Sequence, residues 1–251
     1  IPTKEKILYV SLGDMNIRDF IVRMGAIQTG LTFGEAARNH GAIYNNLKQL
    51  IGNRLDISIN PAGTVSVDEL VEYVLARGYS AIFLDYDSNL LMTSSTNSMY
   101  LDYGTIYNAL TKLTIEGVFV EVGSQPNKVV WKEAEFDLGD LGESSRKGHT
   151  TDMAITIGRF PGPNHCGKVK MAKNRRGEEG DTMGYIRLPN GRFRIIPVDL
   201  AKQFADREKT LFTDQDVDQA LGMYNQSLQA LSMAAPGPQK SQKIINPFNK
   251  P

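Results

Sequence analysis

SVDELVEYVLARGYSAIFLD, residues 66–85, decides the fold class. Ser66-Val67-Asp68-Glu69 is a capping box: the Ser66 hydroxyl caps a backbone N–H and the Glu69 carboxylate reaches back. The helix it opens runs to Arg77 and stops at Gly78, a residue suited to the left-handed turn that ends helices. The apolar strand Ala81–Asp85 follows at once. The same alternation extends both ways. Upstream, Ile7–Leu12 is an unbroken apolar run of strand length, as expected for a strand buried on both faces. Residues 16–28 place Ile17, Phe20, Ile21, Met24 and Ile27 at helical spacing, residues 35–50 form a weaker helical stretch, and 56–59 read as a strand. Downstream, the helix Met99–Ile115 leads into a strand over 118–122. Strands alternating with helices predict an α/β fold with a mostly parallel sheet, whose sites lie beyond the carboxyl ends of its strands.

The pattern changes after residue 150. Strands are expected over 153–157, 168–173 and 183–188, with Asn190-Gly191 closing a two-residue hairpin into 192–196. These add an antiparallel hairpin edge to the parallel sheet. A helix over 213–233 takes Thr213 as its N-cap. The organisation expected is one domain over 1–197, a helical extension over 198–233 and a flexible tail over 234–251. That tail holds four prolines, three lysines and no acid, too little apolar surface to fold alone.

With 251 residues, 41% of them hydrophobic, the chain is long enough for one large core. Lys+Arg and Asp+Glu are each 28, so the average charge argues neither for nor against nucleic acid. One cysteine, Cys166, excludes an internal disulfide and fits a reducing cytoplasm. No apolar run approaches the ~18 residues of a membrane span. The polar start at Ile1 lacks an initiator methionine, so the chain is read as part of a longer protein.

Several residues can carry chemistry. Asp85 ends an apolar strand, where a rigid carboxylate can orient Mg²⁺ through water; the plainer reading is a solvated strand terminator. Asp87 is a nearby substitute. Asp14 follows the first strand, where an acid is also favoured by the dipole of the next helix. Gln125 carries a neutral amide that both donates and accepts, in a stretch that is equally an ordinary turn enforced by Pro126. Residues 142–176 hold eight basic side chains and two acids, a local 8 − 2 = +6 that suits phosphate contact or a solvated basic face. Lys173 and Arg175, two apart on an expected strand, project from one face. Cys166, His165, His40 and His149 lack metal-ligand spacing and read as structural.

Taken in order, the strand ending at Asp85, the strand ending at Gln125, the loop Asp140-Leu141-Gly142-Glu143-Ser144 and Lys173-Asn174-Arg175 resemble the motor domain of DnaB-type hexameric replicative helicases. The resemblance covers residues 5–197 and implies a RecA-like fold. It also implies ATP or another NTP with Mg²⁺, hydrolysis at subunit interfaces of a homo-hexameric ring, and single-stranded DNA in the central channel. By this likeness Asp85 positions the metal, Asp14 polarises the attacking water, and Gln125 senses the terminal phosphate. Glu143, Arg146 and Lys147 lie on the DNA loop, while Lys173 and Arg175 reach the neighbouring subunit's nucleotide. A primase, a loader or another replisome protein would dock on the C-terminal tail, in the cytoplasm of a bacterial host if the protein is phage-encoded. The sequence departs from the pattern where Gly13 is inserted and the acid shortened to Asp14, and where Gly142 replaces an arginine. It also contains no G-x-x-x-x-G-K-[ST] phosphate loop, which is expected upstream of Ile7. Two alternatives stay open: a RecA-fold recombinase or loader ATPase, and a non-catalytic RecA-fold subunit for DNA binding or assembly.

Overall fold

The computed structural model describes residues 6–13, 15–92, 99–126, 133–140, 146–208 and 211–234. Four strands, β1 (Ile7–Leu12), β2 (Leu55–Asn60), β3 (Ala81–Asp85) and β4 (Phe119–Val122), form a parallel sheet in the order β2-β1-β3-β4. Helices α1 (Ile17–Thr29), α2 (Phe33–Arg38) and α3 (His40–Ile51) join β1 to β2; α4 (Val67–Arg77) precedes β3, and α5 (Met99–Ile115) precedes β4. The capping box at Ser66 and the left-handed Gly78 form as the sequence predicts.

Burial of β1 differs from expectation. Leu8, Val10 and Leu12 are buried in one cluster with Val67, Val74, Ile106 and Leu113 of α4 and α5. Tyr9, on the other face, is only half-buried, its ring 4.7 Å from that of Phe20 in α1. The helical stretch 35–50 also divides in two. Asn39 leaves helical geometry at φ −105° and ψ 18°, and its side-chain amide donates to the Glu35 carbonyl at 3.0 Å. A short amide that competes for backbone partners is a poor helix-interior residue, and α2 ends there. Gly25 lets α1 lie directly on α3, since a Cβ there would come 2.1 Å from Ile43 Cγ2.

The antiparallel part is more than a hairpin edge. Following α6 (Arg146–Thr150), strands β5 (Met153–Arg159), β6 (Cys166–Asn174), β7 (Thr182–Arg187) and β8 (Phe193–Ile196) make a four-stranded sheet of their own. The β7–β8 loop has three residues, not two. Leu188 and Arg192 close the ladder at 2.8 Å, and Gly191 at φ +84° takes the left-handed place after the turn. Helix α7 (Val198–Ala205) lies on β6 and β7, and its Leu200, Ala201 and Phe204 share a core with Cys166, Ile186 and Ile196. Helix α8 (Asp214–Ala234) adds Val217 and Ala220, and Arg194 of β8 pairs with its Asp214 and Asp218. The two sheets meet through Arg192, whose guanidinium donates to the Ile27 and Gln28 carbonyls at 2.6 and 3.1 Å. Helix α1 has no basic residue in its own last turn, so a cation from the far sheet completes its C-terminus. Among the described residues, no helix is long and apolar enough to cross a membrane.

Candidate nucleotide and nucleic-acid site

The carboxyl ends of β1, β3 and β4 converge. Ser11 of β1 is opposite Asp85 of β3, and Leu84 of β3 is opposite Val122 of β4. Asp85 is half-buried and accepts from the Tyr9 hydroxyl on Oδ2 at 2.9 Å. Burial first, then that bond and the carboxylate charge, push the Tyr9 phenol well above its ordinary range, so it stays a donor. Asp85 Oδ1 has no hydrogen-bond partner among the described residues. Gly123 stands in front of it; a Cβ there would lie 3.7 Å from Oδ1, so the glycine keeps the approach open. Backbone bonds stitch the two strand ends together, Gly123 N–H to Leu84 O at 2.8 Å and Asp87 N–H to Gly123 O at 3.1 Å. Gln125, two residues past Gly123, is exposed.

Behind this edge lies a charge pair that sequence reasoning missed. Asp87 is 0% and Lys147 2% exposed, with Nζ to Oδ2 at 2.9 Å. The Tyr107 hydroxyl donates to the same Oδ2 at 3.0 Å, the Lys147 ammonium donates to Ser124 Oγ at 3.0 Å, and that ammonium lies 4.0 Å from the centre of the Tyr103 ring. Burial, then the Asp87 charge, raise the Tyr107 phenol far above its usual value. Asp87 is therefore an ion-pair residue rather than a stand-in for Asp85. The expectation that Lys147 contacts DNA is corrected as well: its ammonium is enclosed by Asp87, Ser124 and Tyr103, and no phosphate reaches it in this conformation. The sequence signal for this pocket was slight, Tyr103 and Tyr107 one helical turn apart on α5.

Lys173 and Arg175 do reach the same place, the C-terminus of α6. Lys173 Nζ donates to the Gly148 and His149 carbonyls at 2.5 and 3.3 Å. Arg175 donates to the His149 carbonyl at 2.7 Å and pairs with Asp152 at 2.8 Å. Cations on the last carbonyls of a helix complement its dipole. Arg175 remains half exposed, at 50%.

The +6 read from residues 142–176 is largely offset from outside that window. Lys168 pairs with Glu135 at 2.7 Å, and Lys170 with Asp137 at 2.6 Å and Glu135 at 3.3 Å. These lysines hold the Glu135 carboxyl below its ordinary range. Arg159 and Arg176 stay exposed. Asp14, Glu143 and the Arg146 side chain lie outside the described residues. Cys166 is fully buried, and its thiol is pushed up to about 11 by that burial.

The donor set fits a nucleotide-borne Mg²⁺ and not an all-protein metal cage. Among the described residues, no three His, Cys, Asp or Glu side chains are grouped to hold a metal. Mg²⁺ bound with a nucleotide takes one or two carboxylates, and phosphates and water complete its shell. Asp85, with Oδ1 unpartnered behind a glycine, meets that requirement.

The ATPase domain of a phage helicase matches this chain with a TM-score of 0.64 and 20% identity, over 77% of this chain and 75% of that one. The fold is RecA-like. A DnaB-like replicative helicase, solved with its interactions with primase, matches with a TM-score of 0.61 and 19% identity over 77% of this chain. The chain spans about half of that helicase, 51% of its length. No family model and no curated protein matches the sequence.

Proposed function

We propose that this chain is the motor part of a ring-forming replicative DNA helicase, hydrolysing ATP or another NTP at subunit interfaces and moving on single-stranded DNA. The observation that carries the reading is Asp85. It stands at the end of an inner strand of a RecA-like sheet, held by Tyr9, open on Oδ1, and stitched through Gly123 to the segment that presents Gln125. In this reading Asp85 orients the nucleotide's Mg²⁺, which when bound supplies positive charge at the phosphates. Gln125 offers an amide to the terminal phosphate, and Asp14 serves the attacking water. Arg175 leaves Asp152 to serve a neighbour's nucleotide, with Lys173 beside it. Glu143 and Arg146 face the DNA channel. A phosphate loop, absent from these 251 residues, comes from a segment outside them. The homo-hexameric ring, a primase or loader on the tail, and a bacterial host cytoplasm belong to the same proposal.

A second reading, a RecA-fold subunit without catalysis, is favoured by one observation: the burial of Lys147 removes a cation from the expected DNA loop. The substitution Asp85→Asn separates the two. It is isosteric and removes only the charge that positions the metal. In the complete protein, Mg²⁺-dependent hydrolysis should disappear while the melting curve stays in place. Turnover near wild type refutes the role of Asp85, and a wild-type protein that hydrolyses no nucleotide favours the second reading.

A further inference from the structure

The buried Asp87–Lys147 pair is poorly explained by stability. Both charges have left water, yet Asp87 Oδ1 is buried without a hydrogen-bond partner. An apolar pair of similar size in such a place commonly holds a fold as well or better. What an apolar pair lacks is direction. Lys147 points its ammonium at Ser124, the residue before Gln125, and at Asp87, two residues after Asp85. It also stands on α6, whose last carbonyls are held by Lys173 and Arg175. A continuous bonded train therefore runs from the ends of β3 and β4, through one lysine and one short helix, to Arg175.

We infer that Asp87 and Lys147 are positioning residues for the hydrolytic site: the pair sets Ser124, and with it Gln125, against Asp85, and ties that setting to the helix that carries the Arg175 contact. The inference rests on the proposed hydrolysis and adds residues that act through others, touching no nucleotide themselves. It separates two effects that a structural pair would move together. Substrate binding depends on the phosphate-gripping parts elsewhere and should be spared. The turnover step depends on sub-ångström placement of Gln125 and should suffer, since a misplacement of ~1 Å can cost ~100-fold.

The test uses the complete protein with two variants, Asp87→Leu/Lys147→Met and Ser124→Ala. The first replaces both charges by apolar groups, and the second removes only the hydroxyl that Lys147 reaches. Binding of a fluorescent ATP analogue, kcat and the melting temperature are read for each. The expected result is a kcat lower by about tenfold or more in both variants, with analogue affinity within about threefold of wild type. A folded double variant with kcat within about twofold of wild type overturns the inference, leaving hydrolysis itself intact. If the double variant does not fold, Ser124→Ala decides: a lowered kcat with affinity preserved supports the role, and an unchanged kcat overturns it. A wild-type protein without hydrolysis removes the functional reading and this inference with it.

Discussion

Replacing Lys147 alone by methionine isolates the energy of the buried pair. The variant keeps most of the side-chain volume and removes the ammonium. Asp87 is then left at 0% exposure, with only the Tyr107 hydroxyl, 3.0 Å from Oδ2, as a side-chain donor. Breaking a buried pair on one side costs about 3–5 kcal/mol, because the other charge stays uncompensated. Domains are stable by ~5–15 kcal/mol, so this is a large fraction of the total. At ~2–4 °C per kcal/mol for a chain of this size, the melting temperature should fall by roughly 6–20 °C. Lys168→Met is the control. Its bridge to Glu135 is as short, 2.7 Å, but its partners are 25% and 40% exposed. Exposed pairs contribute ~0–1 kcal/mol, so this control should barely move. Urea denaturation followed by circular dichroism measures both, and an unchanged m-value certifies that the surface exposed on unfolding is the same. If Lys147→Met and Lys168→Met lose the same small amount, the Lys147 ammonium is hydrated in solution and the reasoning about its enclosure fails.

Two further outcomes follow from the geometry. Arg175 pairs here with Asp152 of its own chain at 2.8 Å, and both partners are at least half exposed, so Arg175→Ala should cost ~1 kcal/mol or less in stability. As a finger in trans it should cost on the order of 10³-fold in turnover, and mixing Arg175→Ala with Asp85→Asn subunits should restore part of it; a mixture no faster than either variant assigns Arg175 to its own subunit. The Cys166 thiol, raised to about 11 from 9.0, should resist Ellman's reagent at pH 8 until urea unfolds the chain. Folding here favours the protonated thiol, so its contribution is complete below pH 9 and is lost as pH rises toward about 11. Stability should decline across that window more steeply in wild type than in Cys166→Ala, and equal slopes would contradict the assignment.

The local signals in this sequence were sufficient for the parallel half of the fold. Ser66 and Glu69 form their box with residues three apart, and Gly78 ends α4 by its own backbone freedom. Apolar runs of strand length placed β1, β3 and β4, and hence the row of strand ends where Asp85 and Gln125 lie. Asn39 and the Asn190-Gly191 turn misled because their outcome depends on one backbone angle, which neighbouring residue types only bias. The charges were another matter. Lys147, Lys168 and Lys170 read as one basic stretch because a sequence window sums only neighbours along the chain. Their carboxylates come from Asp87, Glu135 and Asp137, and those partners are chosen by packing. Whether a lysine faces DNA or is enclosed by a carboxylate far away along the chain depends on desolvation, and desolvation exists only once the tertiary structure has closed around it.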